Sequence, residues 1–378
     1  MSPEPGSRVG SVARPGAWPE GFASSRRDRE AILVLSHLES LTPRDLHRLA
    51  WAERTGARCL RAVRTGMAGT DGDREAIRNI DPREVRDSLA SSGSRAAYPG
   101  DREYPDPLLD LVDPPAVLFL RGRPVVEGRS VAVVGARLCS PYGSELASML
   151  GGGLAAAGVT VVSGAALGID AAAHRGALRA GGLTVAVLGS GIDVPYPRGN
   201  RRLIERIAEA GTVVSEYPPG VRPVPRRFPA RNRIVAALSR AVVVVEGASG
   251  SGSILTAEFG MDLHREVLAV PGPVTSPLSD APHALIRDGA TLVRGLDDVL
   301  AVLGLEGGDD AETVPGLSED ERRVLGAMAG TGLTLESLAA RAAIPPGAAM
   351  AALVELELRG LVRSAGGRYE RTRQEIAG

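Results

Sequence analysis

The chain has 378 residues and a formal charge of −1 from 44 basic and 45 acidic side chains; it is 44% hydrophobic but only 3% aromatic. That length allows two or three domains, and the charge balance gives no overall mark of a nucleic-acid binder. Two cysteines, Cys59 and Cys139, stand in no CxxC or metal-ligand spacing, which excludes a disulfide framework and a cysteine metal site and fits a reducing compartment.

No apolar run reaches the roughly 18 residues of a membrane span, and the polar start has no signal-peptide core, so a soluble, cytoplasmic chain without membrane contact is expected. Every basic side chain is Arg. The abundance of Ala, Gly and Pro explains this as coding bias, although Arg also supplies bidentate contacts to phosphate.

Residues 1–28, rich in Pro, Gly, Ser and Arg, read as a disordered tail. Residues 29–95 form a small helical (SAM-like) domain in which Leu33, Leu35, Leu38, Leu41, Leu46 and Leu49 recur near the helical period. Thr42 followed by Pro43 is a helix start. The proline-punctuated stretch 98–115 is extended and leads into the next domain.

From Val117 to Leu303 short β-branched runs such as "SVAVVGA", "VTVVSGA", "LTVAVLGS" and "AVVVVEG" alternate with helical stretches. That rhythm predicts an α/β fold, an extended Rossmann-like doubly wound parallel sheet covered on both faces, over residues 98–304. Residues 305–316 are a polar linker. In 317–372, three helices with caps at Ser318 and Thr334 and two strands around Gly366-Gly367 predict a winged-helix domain.

Ligands of doubly wound sheets sit beyond the carboxyl ends of strands, so the strand tips hold the candidate site residues. After the first core strand come Gly135 and Arg137, beside a helix that starts at Pro141. This suits an anion, and a plain turn with a solvated Arg fits the motif as well. After the next come Ser163, Gly164, Gly168 and Asp170, with His174 one turn on. A capping Asp and a packed His are preferred there over a catalytic pair, since no nucleophile accompanies them.

Gly189 opens a glycine-rich tip leading to Tyr196 and Asn200, where a ring beside the backbone would suit a base. From Arg222 to Arg240 six arginines surround Phe228 without a single acid, the footprint of a groove that tracks a phosphodiester backbone. Its central residues are Arg231, Asn232 and Arg233. Ser251, Gly252 and Ser253 then precede a helix as a phosphate cradle. No GxGxxG fingerprint and no Walker Lys are present, so neither a dinucleotide cofactor nor NTP hydrolysis is expected.

In order, "VGAR", "VVSGAALGIDAAAHRGAL", "AVLGSGIDVPYPRGN", "SEYPPG", "FPARNRIVAALS", "SGSILTAE" and "EVLAVPGPV" resemble the DNA-processing protein A family (DprA, also called Smf). The resemblance implies a non-catalytic, dimeric, single-stranded-DNA-binding recombination mediator. It would protect incoming DNA in natural transformation and load the RecA recombinase. It also implies a DNA pocket at Arg137, Ser163, Gly164, Phe228, Arg231, Asn232 and Arg233, with no cofactor or metal. Leu167 stands where the family commonly has Arg, and His283 where it commonly has Asn.

Two other readings have specific signals. "SGSGSILTAE", ending at Glu258, distantly echoes the glycine loop of phosphoribohydrolases similar to the "lonely guy" cytokinin-activating enzymes. A winged helix could also read duplex DNA, but its third helix, "GAAMAALVELELRG", is apolar and acidic and fits a protein partner better.

Overall fold

A computed structural model describes residues 14–125, 128–305, 316–328 and 333–372. They divide into two compact units, Met1–Gly304 and Leu305–Gly378.

The first unit opens with five helices: α1 (Arg26–Leu35), α2 (Pro43–Glu53), α3 (Gly56–Arg64), α4 (Asp71–Arg78) and α5 (Pro82–Ser91). Each starts on a polar cap, Ser25, Thr42, Thr55, Thr70 and Asp81, whose side chain accepts a first-turn N–H. Thr42 with Pro43 starts α2 as the sequence predicts.

Two boundaries differ from expectation. Residues 14–28 are packed: Phe22 is buried, Trp18 stacks on it at 4.3 Å, and the Ala17 carbonyl accepts from His47. Two aromatic side chains outweigh a composition that otherwise favours disorder. Residues 1–13 of that expected tail and 306–315 of the expected linker lie outside the described residues. Second, the helices share one apolar core with the sheet domain, from Ile32 and Leu60 to Leu188 and Ile204, so they are not a separate unit.

The sheet has nine strands among the described residues: β1 (Ser94–Ala97), β2 (Leu118–Gly122), β3 (Ser130–Val134), β4 (Thr160–Ser163), β5 (Thr184–Leu188), β6 (Thr212–Ser215), β7 (Ala241–Val244), β8 (Glu266–Ala269) and β9 (Thr291–Leu292). Their order is β1-β2-β6-β5-β4-β3-β7-β8-β9. From β6 to β9 all pairs are parallel, as expected. β2, expected within the parallel set, instead runs antiparallel to β6 and to β1.

The helices α6 (Pro141–Ala156), α7 (Ile169–Arg179), α8 (Arg201–Ala210), α9 (Arg227–Ala237), α10 (Gly252–Asp262), α11 (Asp280–Arg287) and α12 (Leu296–Val302) complete the unit. Alternation along β5 shows why both faces are closed. Ala186 and Leu188 join the core with α1, α3, α7 and α8, whereas Val185 and Val187 join the one with α9 and α10. A Cβ on Gly151 of α6 or Gly176 of α7 would meet the carbonyl of Ala173 or Ser148, so glycine sets how closely these two helices pack.

In the second unit α13 (Glu319–Ala327), α14 (Leu335–Ala342) and α15 (Pro346–Leu358) precede the hairpin β10 (Val362–Ala365) and β11 (Arg368–Arg371). Ser318 closes a capping box, and Gly366 and Gly367 both take positive φ in the turn. On α15 the exposed Met350, Val354 and Leu358 recur every four residues. Among the described residues no single helix is long and apolar enough to cross a membrane.

Candidate nucleic-acid interface

The strand order reverses its direction of growth between β3 and β7, which places a crevice beyond their carboxyl ends. Gly135 and Arg137 follow β3, and Glu246 follows β7. A Cβ at Gly135 would meet the Glu246 carbonyl and Ile169, and the Ala136 N–H donates to that same carbonyl at 2.7 Å. The two tips are therefore tied together.

The start of α6, expected to suit an external anion, is filled from within. The buried Glu246 carboxylate accepts from Ser140 N at 2.8 Å and Ser140 Oγ at 2.5 Å, and it stands where a Gly143 side chain would be. The internal carboxylate takes the Ser140 amide and the Ser140 hydroxyl takes that of Gly143, so the helix start that would otherwise draw a phosphate is already occupied.

The β4 tip is closed in the same way. Ser163 is buried and donates to the Val133 carbonyl, while the Gly164 and Ala166 N–H groups donate to Asp170 at 3.1 and 3.3 Å. Asp170 is not the cap of α7. Gly168 takes that position at φ 74°, packed on the carbonyls of Ala136 and Arg137, and Asp170 reaches back from inside the helix.

Burial pushes the Asp170 carboxyl up, against the neighbouring Arg231 charge and the two amides. His174 is packed, its Nδ1 2.7 Å from Thr184 Oγ1. Because that hydroxyl donates to the Val161 carbonyl, the ring donates through Nδ1. Burial, then Arg231 and Arg175, push its pKa down to about 3.

The arginine stretch is the helix α9, and its two central arginines turn inward. Arg231 is 4% exposed and donates to the carbonyls of Gly164 and Val187; burial lowers its pKa to about 10. Arg233 is 3% exposed and forked between Glu216 at 2.8 Å and Asp113 at 3.0 Å. Burial works against its charge, but those two carboxylates raise its pKa above the usual value.

Farther along, Glu39 of the helical region pairs with Arg226 and Arg227. The stretch thus lacks acids in sequence and has them in space. Arg231 and Arg233, expected to meet phosphate, are held as internal supports, because a buried guanidinium needs all its partners.

What faces outward is a row of three side chains. Arg137, exposed and without an ion pair among the described residues, lies over the Phe228 ring at 5.5 Å, and the exposed Tyr196 ring is 5.2 Å from Phe228. Gly189 permits this, since a side chain there would strike Phe228. Buried Asn200 donates to the carbonyls of Ala165 and Ala166.

Asn232 links the row to the other cradle: it accepts from Arg231 and donates to the Gly252 carbonyl at 3.0 Å. There, Ser251 and Ser253 share a 2.7 Å hydroxyl contact at the start of α10, and the Ser251 cap side chain accepts no backbone N–H of the helix. Leu167 is 44% exposed where an Arg is common, and His283 Nε2 lies 3.0 Å from the Gly272 carbonyl.

Sequence reasoning gave Arg137 and Phe228 and noted Tyr196. It missed Glu246, Glu216, Asp113 and Glu39 as the groups that neutralise the interior. Glu216 sits within the quoted "SEYPPG" and Asp113 within the proline-rich connection, but nothing along the chain pairs them with α9.

A model of the family described as DNA recombination-mediator protein A matches residues 95–304, and one described as the DprA winged helix domain matches 309–368. The putative DNA processing protein DprA of Mycobacterium tuberculosis is 41% identical over 336 residues, 81% of this chain and 85% of the relative. Protein Smf of Escherichia coli is 36% identical over 92% of this chain and 96% of its own length.

Among solved structures, DNA processing protein A of Streptococcus pneumoniae is 36% identical with a TM-score of 0.58, covering 69% of this chain and 97% of that one. The Helicobacter pylori protein, solved to describe its unique single-stranded-DNA binding mode, is 29% identical at a TM-score of 0.50, over 56% of this chain and 95% of that one. The chain belongs to the DNA recombination-mediator protein A family, the DprA/Smf proteins.

Proposed function

We propose that the chain is a single-stranded-DNA-binding recombination mediator. The observation that carries the reading is the row Arg137–Phe228–Tyr196 at the sheet's switch point, an exposed cation without an ion pair among the described residues, lying over the half-buried Phe228 ring with the exposed Tyr196 ring beside it. A guanidinium supplies a phosphate contact, and a ring with an open edge offers a base something to stack on whatever its identity. Asn232 and the Ser251–Ser253 loop continue the polar track toward the start of α10, where amides favour a second phosphate.

Gly164, Gly168, Asp170, Arg231 and Arg233 then act from beneath, fixing the loops on which that row stands. The family resemblance implies roles in natural transformation and recombination, as a dimer that loads RecA. We extend those roles to this chain as part of the same proposal, with the apolar stripe of α15 as a protein-facing surface rather than a duplex reader.

The chain binds without catalysing in this reading. Glu258, the acid of the rival nucleotide-hydrolase reading, lines a separate hollow of about 260 Å³ with Ile254, Arg265 and Asp288, away from the tips of β3 and β5. The test is anisotropy of labelled single-stranded and duplex oligonucleotides, alongside an assay for ribose phosphate released from nucleoside monophosphates. Preference for single strands with no release is expected. Release without single-strand binding would overturn the proposal in favour of the hydrolase.

A further inference from the structure

At the β1 edge of the sheet, with none of the strand-tip residues in its lining, a cavity of about 710 Å³ opens between α1, α5 and β1. Its floor is aliphatic, from Leu33, Leu89 and Ala96, Ala90 stands exposed on its wall, and four arginines, Arg26, Arg29, Arg86 and Arg95, line it as well. Its volume lies within the range of sites that enclose a ligand or a few side chains.

The arginines already show what they prefer to hold. Arg29 meets Asp101 at 2.5 Å, Arg95 meets Glu103 at 2.8 Å, and Arg26 and Arg86 share the single oxygen Glu30 Oε1 at 3.0 and 2.6 Å. Four guanidiniums thus meet three carboxylates. The unmatched positive charge falls on Arg26 and Arg86, which have half a carboxylate each.

The aromatic face is closed, since Arg29 lies over the Tyr98 ring at 5.0 Å and Tyr98 is 5% exposed. A nucleobase would find nothing to stack on, but an aliphatic side chain would find a matching floor. The strand beside the cavity adds backbone. β1 is the last strand of the sheet and pairs with β2 alone among the described residues, leaving its outer edge for an added strand.

We propose that this cavity and the β1 edge bind an extended acidic peptide of a partner protein. A carboxylate of the peptide engages Arg26 and Arg86, and its alternate, aliphatic side chains fill the floor. Period-two alternation of charge and apolar groups is what a strand laid along β1 would present.

The probe is a fluorescein-labelled peptide alternating glutamate with leucine, titrated into the full chain by anisotropy. Saturable micromolar binding is expected. It should weaken by at least about tenfold in Arg86→Glu, as loss of a charge pair at a desolvated contact does, and be lost when serine replaces leucine in the peptide. Should Arg86→Glu fail to fold, Ala90→Glu adds an acid at an exposed wall position without removing a contact and should weaken binding similarly.

Arg137→Ala should leave peptide affinity unchanged, which separates this site from the DNA reading. Absence of saturable binding, or equal affinity of both variants and wild type, would overturn the proposal. So would competition by a single-stranded oligonucleotide that disappears in Arg86→Glu, since nucleic acid would then be the occupant.

Discussion

Arg233 within α9 and Arg137 beyond the tip of β3 have their charges handled in opposite ways. Arg233 is sealed between Glu216 and Asp113 and serves the interior, whereas Arg137 rests on Phe228 and faces solvent without a carboxylate among the described residues. A guanidinium with its partners built in contributes to the fold; one without them is free to meet an anion from outside. The contrast teaches that arginine density along a sequence is a poor guide to a binding surface until its acids have been located in space.

The largest effect is expected where that contrast is broken from inside. Arg233→Ala leaves the Glu216 carboxylate, whose side chain is 6% exposed, without its arginine, and should cost about 3–5 kcal/mol of stability by urea unfolding. Oligonucleotide affinity per folded molecule should change little. If affinity collapses while the urea midpoint holds, Arg233 is a ligand for DNA and its buried role here is wrong.

Next is the buried imidazole beneath the same loops. The His174 pKa is pushed down to about 3 in the fold against about 6.5 in an unfolded chain. Unfolded chains therefore bind the extra proton, and stability falls as pH drops through that window, by about 1.4 kcal/mol per pH unit. Urea midpoints measured at successive pH values should show that slope for the wild type and a shallower one for His174→Asn. Equal slopes would mean the ring is not held neutral.

Phe228→Ala tests the outer row and should weaken single-strand binding by about 1–3 kcal/mol, the worth of a stacking ring. The loss should be nearly the same for oligonucleotides of different sequence, and a loss confined to one base would point to edge recognition instead. Smallest is Glu39→Gln. The pair it forms with Arg226 is exposed, so stability should move by less than about 1 kcal/mol. Single-strand affinity should tighten slightly as Arg226 and Arg227 are released, and an unchanged affinity would place them off the DNA path.

Much of the fold was legible because it depends on local pattern. The apolar runs gave β3 to β8, alternation along β5 matches two covered faces, and Thr42, Ser318 and Gly366-Gly367 act where the sequence placed them. Composition misled at residues 14–28, where Trp18 and Phe22 anchor a segment of otherwise disorder-prone residues.

The site was half legible for a related reason. Arg137 is exposed at a strand tip and Phe228 half-buried at a helix start, positions set by local structure. The partners of Arg233 come from 17 and 120 residues away, and the carboxylate at the start of α6 comes from 106 residues away. Such pairing is decided by topology, and the antiparallel entry of β2, which brings the 98–115 connection to α9, is the step that short-range pattern does not reveal.

The central claim rests on one comparison, the salt dependence of single-strand binding by the wild type and Arg137→Ala. If Arg137 neutralises a phosphate, its removal should make the slope of log affinity against log salt shallower by about 0.7, with the urea midpoint unchanged. An unchanged slope in a stably folded Arg137→Ala would contradict the account.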